Sequence, residues 1–549
     1  MKNSILILWF LLAVSGLSNK ATSQNPEKQF DKILSEQNFE NSPGFVALVA
    51  KNNQVIYRKA FGYANLELDV KLKPENIFRI GSITKQFTAA AILKLEEEGK
   101  LSLQDDIKKF IDDYPAHGHT ITVEHLLTHT SGIKSYTSMR EWNSEMRKKD
   151  FTPVEMIDFF KNQPMDFAPG EKFLYNNSGY FLLGYIIEKI SEKTYEEYIQ
   201  ETFFTPLGMK NSSYGNPSEV IKNRAAGYQK KDDEFVNAEF LSMTQPYAAG
   251  SLLSTVDDLY TWYTAVMNDK VISRENRQKA HSSYKLNNGK PTGYGYGWSL
   301  GNIQNSPMIE HGGGINGYLT ASLWLPDEKV FVAVFSNCNA MPPQNTAIKL
   351  AAAAIGKPFD WKETEMDEEI LKDYVGVYES EEKETRTLIV ENDSLFYVYP
   401  AGNREKLLPF ANDRFFMKNS FNEFIFERSI QGEVVSLIAN GTGYLPLKLN
   451  KTDKPVEVKK EVELPDEILD KYLGKYELMP EFILTVTRQG KRVFVQGTGQ
   501  NPIEIFATEP HRFFAKMITA EFIFHQDESG MVTELTLMQN GEHKAKKIE

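Results

Sequence analysis

The sequence predicts an α+β unit, an antiparallel sheet flanked by helices with a helical subdomain, followed by two small antiparallel β-barrel domains. Three observations lead there. Strand-like stretches stand at 44–62 and again at 294–337, with helical and loop sequence between them, so one sheet joins distant parts of the chain. The composition shifts at "KPFDWKETEMD" (357–367). Beyond that shift the chain repeats itself: "EEILKDYVGVYE" (368–379) returns as "DEILDKYLGKYE" (466–477), "RFF" at 414–416 returns at 512–514, and "EFIF" at 423–426 returns at 521–524. Tyr374/Tyr472, Arg414/Arg512 and Glu423/Glu521 share one offset of 98, the mark of a duplication.

At the N-terminus, Lys2 precedes the apolar run "ILILWFLLAVSGL", and Ala21-Thr22-Ser23 supplies small residues ahead of Gln24. This reads as a signal peptide over 1–23, and hence as a secreted or periplasmic protein. The run is short for a membrane span of roughly 20 residues, and no later segment is long and apolar enough to span. Cleavage removes Lys2 and Lys20, which takes the net charge from −12 to −14. With no dense basic block, that charge argues against nucleic acid and anionic membrane surfaces as partners. Cys338 is the only cysteine, so no internal disulfide is available; in "FSNCNAM" it reads as a small packing residue.

The expected domains are 24–356 for the α+β unit, 367–450 for the first β-domain and 466–549 for the second, joined by the charged, proline-bearing connector "NKTDKPVEVKKEVELPD" (450–466). Within the first unit, "GFVALVAKNNQVIYRKAFG" (44–62) reads as a hairpin turning at Asn52-Asn53. Residues 82–98 read as a helix stopped by Gly99, and "YLTASLWLPDEKVFVAVFSN" (318–337) as a hairpin turning at Pro326-Asp327.

The chemistry begins at "FRIGSITKQFTAAAILKLEEEG" (78–99), where Ser82 and Lys85 stand three apart at the start of an apolar helix, on one face. Serine needs a neighbouring base to become a nucleophile, and burial can lower a lysine pKa enough to supply one. A helix N-terminus also favours developing negative charge. By itself the pair is frequent by chance and reads as an N-cap serine beside a solvated lysine. Two further stretches bear on it. "FAPGEKFLYNNSGYFLLGYIIEKI" (167–190) puts Tyr175 and Asn177 ahead of an apolar helix, and "IEHGGGINGYL" (309–319) puts His311 before three glycines entering a strand hairpin. A phenol can carry a proton if nearby positive charge lowers its pKa, an asparagine can both donate to and accept from a substrate amide, and glycines allow close backbone approach and leave N–H groups for an oxyanion.

SxxK at Ser82–Lys85, YxN at Tyr175–Asn177 and HxG at His311–Gly313, in this order, resemble the penicillin-recognising serine hydrolases, a superfamily that includes class C β-lactamases, D-alanyl-D-alanine carboxypeptidases, D-aminopeptidases and related esterases. "ITVEHLLTHTSGI" (121–133), "PLGM" (206–209), "AAGSLLSTVDDLYTW" (248–262) and "YGYGW" (294–298) match as well, and the resemblance covers roughly 28–355. The repeats resemble the lipocalin-like β-domains appended to some members. The resemblance implies a β-lactamase-like fold, with Ser82 attacking a carbonyl to form an acyl-enzyme. Lys85 and Tyr175 share the proton transfers, without rank between them. Asn177 holds the substrate amide, His311, Gly313 and Gly314 belong to the substrate strand, and the N–H groups of Ser82 and Gly314 form the oxyanion hole.

His311 stands where many β-lactamases carry the lysine of KTG. Histidine is mostly neutral at pH 7, so carboxylate recognition should weaken, which favours amides or esters lacking a carboxylate there; a protonated His311 would restore the charge. The expected function is an exported serine hydrolase working on D-amino-acid-containing peptides or small esters. The alternatives are a β-lactamase and a penicillin-binding receptor without turnover. The partner is a small-molecule or peptide substrate, with cell-wall-derived peptides as candidates, and neither cofactor nor metal is expected. His117, His119, His125 and His129 invite a zinc reading, but HLLTH lacks the glutamate of HExxH, and His129 is expected to bond to backbone in the turn Thr130-Ser131-Gly132. Neither GxSxG nor a phosphate-binding GxxxxGK[ST] is present. For the β-domains, a stabilising tail and a barrel that limits substrate length are both open; deletion of 357–549 separates them.

Overall fold

A computed structural model of the chain describes residues 26–399, 403–418, 420–442, 445–456, 461–480, 482–539 and 541–549; the expected signal peptide lies outside the described residues. The chain forms two compact units, one of residues up to Leu300 with Pro307–Pro358, the other of Gly301–Ser306 with Phe359–Glu549. Among the described residues no helix is long and apolar enough to cross a membrane.

The six-stranded sheet and its principal helices are α1 (Pro26–Ser35), β1 (Phe45–Lys51), β2 (Gln54–Phe61), α2 (Thr84–Glu97), α3 (Asn177–Ser191), α4 (Val256–Met267), β3 (Ser299–Ile303), β4 (Ser306–Ile315), β5 (Tyr318–Leu325), β6 (Val330–Ser336) and α5 (Gln344–Ala354), all in the first unit except residues 301–306 of β3 and β4. The sheet runs β3-β4-β5-β6-β1-β2. Its N-terminal hairpin and its C-terminal strands meet where β1 lies antiparallel to β6, with Phe45 opposite Ser336 and Lys51 opposite Val330. The β1–β2 turn holds Asn52 and Asn53 at φ 51 and 63, the left-handed pair that suits the twist of a two-residue hairpin. Every residue of β6 is buried, so both of its faces are covered. The segment "YGYGW" is irregular, and strand geometry begins only at Ser299.

α2 runs through the core. All its residues from Thr84 to Leu95 except Lys94 are buried, which explains why its sequence is apolar on every side. Phe87 stacks on Trp262 of α4 at 3.9 Å. A single-turn 3-10 segment, Gly81–Ile83, leads into α2, and Gly99 ends it at φ +67. His125 caps a short helix: its Nδ1 accepts from Thr122 N–H while its own N–H donates to the Thr122 hydroxyl. Cys338 is buried.

The second unit contains two closed antiparallel barrels of eight strands, one from Gly376–Glu379 to Leu447–Thr452, the other from Gly474–Met479 to Glu542–Lys547. The first residues of the charged connector, 450–452, therefore belong to a closing strand. The duplication is registered residue for residue: Tyr378 pairs with Arg386 as Tyr476 pairs with Leu484, and Leu388 with Tyr397 as Val486 with Val495. The shared residues do the same work in both. Arg414 pairs with the buried Glu423, and Arg512 with Glu521, while Tyr374 and Tyr472 are buried and each bonds to a loop residue, Asp413 and His511.

Candidate active site

The 3-10 turn places Ser82 half-buried at the mouth of α2, with Lys85 fully buried one turn on. The Lys85 Nζ lies 3.1 Å from Ser82 Oγ, 2.8 Å from Asn177 Oδ1 and 2.8 Å from the Ala249 carbonyl oxygen. Burial holds this amine well below the usual lysine range. A neutral amine has two N–H groups and one lone pair. The Asn177 Oδ1 and the Ala249 carbonyl oxygen can only accept, so they take the two N–H groups and turn the lone pair toward the Ser82 hydroxyl.

Tyr175 arrives from the loop before α3. Its ring lies with its centroid 4.8 Å from Lys85 Nζ. The residue as a whole is exposed, but its hydroxyl is turned in to the Ser82 hydroxyl; loss of water at that end pushes its pKa up, and the Ser82 hydroxyl pulls the other way without reversing it. The condition set from sequence, a phenol lowered by nearby positive charge, is not met here, because desolvation outweighs the neighbours. The loop is pinned on both sides of Tyr175 by His129: Leu174 N–H donates to the His129 carbonyl at 3.0 Å and Asn176 N–H to its Nδ1 at 3.0 Å. The His129 ring lies 4.3 Å from that of Tyr175. The expected bond from His129 into the turn Thr130-Ser131-Gly132 is therefore corrected: the ring reaches across to Asn176, whose amide α3 leaves unpaired at its cap. Burial keeps His129 uncharged, and a positive Lys85 would disfavour its charge further.

Asn177 opens α3, and both halves of its amide are engaged. Oδ1 accepts from Lys85 and Nδ2 donates to Thr137 Oγ1 at 3.1 Å. In this structure its side chain orients the amine.

His311 on β4 is buried, and both ring nitrogens are used within the protein. Nδ1 donates to the Gly312 carbonyl at 2.6 Å, and Nε2 accepts from the Tyr294 hydroxyl at 3.0 Å. Burial, reinforced by Lys85, lowers its pKa to about 3, so it is neutral at pH 7. The protonated His311 left open by the sequence is not the form this environment favours.

The glycines differ among themselves. A Cβ on Gly313 would stand 1.9 Å from the Ile80 carbonyl oxygen and 2.5 Å from Thr320 Oγ1, so the missing side chain admits the protein's own backbone rather than a ligand. Gly81, at φ +52, faces Gly314 so closely that its Cβ would lie 2.8 Å from the Gly314 nitrogen. This brings the backbone beside Ser82 against the exposed Gly314.

Ser82, Lys85, Tyr175 and Asn177 thus come together, with His311, Gly313 and Gly314 on the strand alongside. Sequence reading gave no role to Tyr294, Ala249 or Thr137; "YGYGW" and "AAGS" were visible as matching blocks, but nothing local says which atom each would offer. Among the described residues no group of three or more His, Cys, Asp or Glu is placed to hold a metal.

Comparison with known proteins agrees with this geometry. The Beta-lactamase family matches residues 30–357, and a domain of unknown function (DUF3471) matches 458–548. Penicillin-binding protein 4* of Bacillus subtilis is 30% identical over 72% of this chain and 92% of its own. The octameric penicillin-binding protein homologue of Pyrococcus abyssi superposes with a TM-score of 0.54 at 31% identity, over 78% of this chain and 99% of that one. The penicillin-binding protein of Bacillus halodurans does so with a TM-score of 0.52 at 25% identity, over 60% and 98%. With the family matched across more than half its length and the fold shared, the chain belongs to the Beta-lactamase family, within the penicillin-recognising serine hydrolase superfamily.

Proposed function

We propose that the chain is an exported serine hydrolase that cleaves amide or ester bonds through an acyl-enzyme, on D-amino-acid-containing peptides or small esters. The observation that carries this reading is the buried Lys85 amine, held by two obligate acceptors with its third direction on Ser82 Oγ. In acylation the neutral Lys85 takes the Ser82 proton as Oγ bonds to the substrate carbonyl carbon. The negative charge moves to the carbonyl oxygen, which the N–H groups of Ser82 and Gly314 would receive. Tyr175 gives its hydroxyl proton to the leaving nitrogen or oxygen as that atom's bond to carbon breaks, and takes up in its place the proton held by Lys85, so both side chains return to their starting forms. Water reverses the sequence on the ester and frees Ser82. The pKa directions divide the labour that the sequence left undivided: lowered Lys85 suits the base and raised Tyr175 suits the acid that protonates the leaving group.

Substrate preference rests on His311. A neutral imidazole with both nitrogens engaged offers no cation to a substrate carboxylate. Substrates without a carboxylate at that place are therefore favoured over β-lactams. The name of the Bacillus subtilis relative supports a second reading, acylation by penicillin. Export rests on the sequence of residues 1–23 alone.

The test is steady-state turnover by purified protein of p-nitrophenyl acetate, D-aminoacyl p-nitroanilides, D-Ala-D-Ala peptides and nitrocefin, ranked by kcat/KM. The proposal expects continuous release from esters or D-aminoacyl amides ahead of nitrocefin. Nitrocefin ranking first would replace it with a β-lactamase, and a single stoichiometric burst with a receptor.

A further inference from the structure

The duplicated barrels provide an internal comparison. One hollow recurs in both: Leu395, Lys406 and Leu407 line it in the first, and Val493, Glu504 and Ile505, each 98 positions on, line it in the second. That hollow is inherited from the repeat. The second barrel also has a cavity of about 580 Å³, walled by Phe482, Leu484, Val495, Gly497, Ile503 and Phe522. This volume falls within the roughly 300–1,000 Å³ of small-molecule sites.

The cavity stands where the two copies diverge. At the matching positions the first barrel carries Glu384, Arg386, Tyr397, Tyr399, Glu405 and Phe424. There Tyr397 packs edge-on to Tyr399 at 5.0 Å and lies 5.1 Å from Phe424, and Arg386 pairs with Glu384 at 3.3 Å. In the second barrel two tyrosines have become Val495 and Gly497, and the three charged residues have become Phe482, Leu484 and Ile503. Large groups are exchanged for small ones and charged for apolar, at five of six positions, while Phe522 keeps its ring.

Among the described residues, the polar groups in the lining are amides and an imidazole, Gln500, Asn501, Gln539 and His543, with no lysine, arginine or carboxylate. Met479, half exposed beside them, is an adaptable apolar side chain. From this we infer that the second barrel binds a small amphiphile: an alkyl or acyl chain in the apolar cavity, with an uncharged hydrogen-bonding head, an alcohol, ester or amide, at the amide-lined part of the wall. Among the described lining residues a carboxylate head meets no lysine or arginine.

The experiment uses full-length Ser82→Ala protein and the neutral fluorophore N-phenyl-1-naphthylamine, displaced by alkan-1-ols, by the glycerol monoester of decanoic acid, and by decanoate. The expected result is saturable probe binding with one site per chain, alcohols gaining about fourfold in affinity per methylene from hexanol to decanol, and decanoate at least tenfold weaker than decanol. Preference for the monoester over decanol would assign the head to a glyceride, the reverse to a free alcohol. Phe482→Glu with Ile503→Glu, half-exposed positions given the first barrel's residues, should weaken decanol at least tenfold with an unchanged melting temperature. Val495→Tyr should do the same by filling the space. Absence of saturable binding, affinity independent of chain length, binding unchanged in the folded double variant, or loss of binding when wild-type protein is blocked at Ser82 by a phosphonate would overturn the assignment.

Discussion

Gly313→Ala tests whether the approach of β4 to the serine-bearing turn is as tight as described. The new methyl carbon would start 1.9 Å from the Ile80 carbonyl oxygen and 2.5 Å from the Thr320 hydroxyl. Ordinary contact between such atoms begins near 3.4 Å, so strand and turn must separate by about 1.5 Å. Ile80 is two residues from Ser82, and Thr320 donates to that same carbonyl at 3.0 Å, so the displacement falls on the nucleophile and on Gly314 together. A misplacement of about 1 Å costs on the order of 10²-fold in rate, close to 2.7 kcal/mol of transition-state stabilisation. Overpacking adds roughly 1–3 kcal/mol of lost stability. Gly312→Ala is the control, because its Cβ would meet nothing nearer than the Thr320 carbonyl oxygen at 3.4 Å. The assay is p-nitrophenyl acetate turnover with a thermal melt of each protein. We expect kcat/KM down about 10²-fold with a lower melting temperature for Gly313→Ala, and a change within threefold for Gly312→Ala. Equal behaviour of the two variants would refute the reasoning.

Ser82→Ala should abolish both turnover and covalent labelling by an activated phosphonate; labelling retained at another serine identifies a different nucleophile. Lys85→Ala should lower the acylation rate by about 10²–10⁴-fold or more in a single-turnover assay. In the wild type kcat/KM should fall as pH drops through the lowered Lys85 pKa, because the protonated amine cannot accept the Ser82 proton, and this acid limb should lie below the range of a free lysine. His129→Phe removes the acceptor of the Asn176 N–H while keeping the ring, so kcat should drop about tenfold or more with little change in KM for the ester. His311 is buried and His281 half-buried, and desolvation lowers the pKa of each to about 3. The unfolded chain binds their protons below about 6.5 while the folded one does not. Stability should therefore be full above pH 6.5 and fall as pH drops toward 3, and His281→Gln should flatten that slope in melts taken across the window. His311→Lys should improve nitrocefin relative to esters; an unchanged ratio removes charge at this position as the determinant.

The fold was legible because its signals are local or repeated. Asn52-Asn53 announces a hairpin through backbone preference, and the offset of 98 announces two barrels whatever their contacts. The close partnership of Ser82 and Lys85 was legible because one helical turn imposes it. The rest of the site depends on partners that only folding brings near. Nothing around residue 249 says that its carbonyl will receive an N–H from residue 85, and nothing in "HTSG" says that an imidazole will accept the cap amide of a helix that begins at residue 177. The direction of the Tyr175 pKa could not be read for the same reason: the sequence shows which charges exist, not how much water is removed. Gly313 was assigned to the ligand because glycine next to a motif invites that reading; its neighbour across the gap, Ile80, lies in another segment.

Each barrel closes on itself: Val377 of the opening strand pairs with Thr452 of the last in one copy, and Tyr476 with Lys547 in the other. A ring of strands has its two chain ends side by side and presents no unsatisfied ladder to the outside. Such a unit can be copied in tandem by a single gene event without producing a sticky margin, and its termini already sit where a neighbour must be spliced. That makes the repeat a cassette, in which one copy is free to keep the original filling while the other is hollowed out.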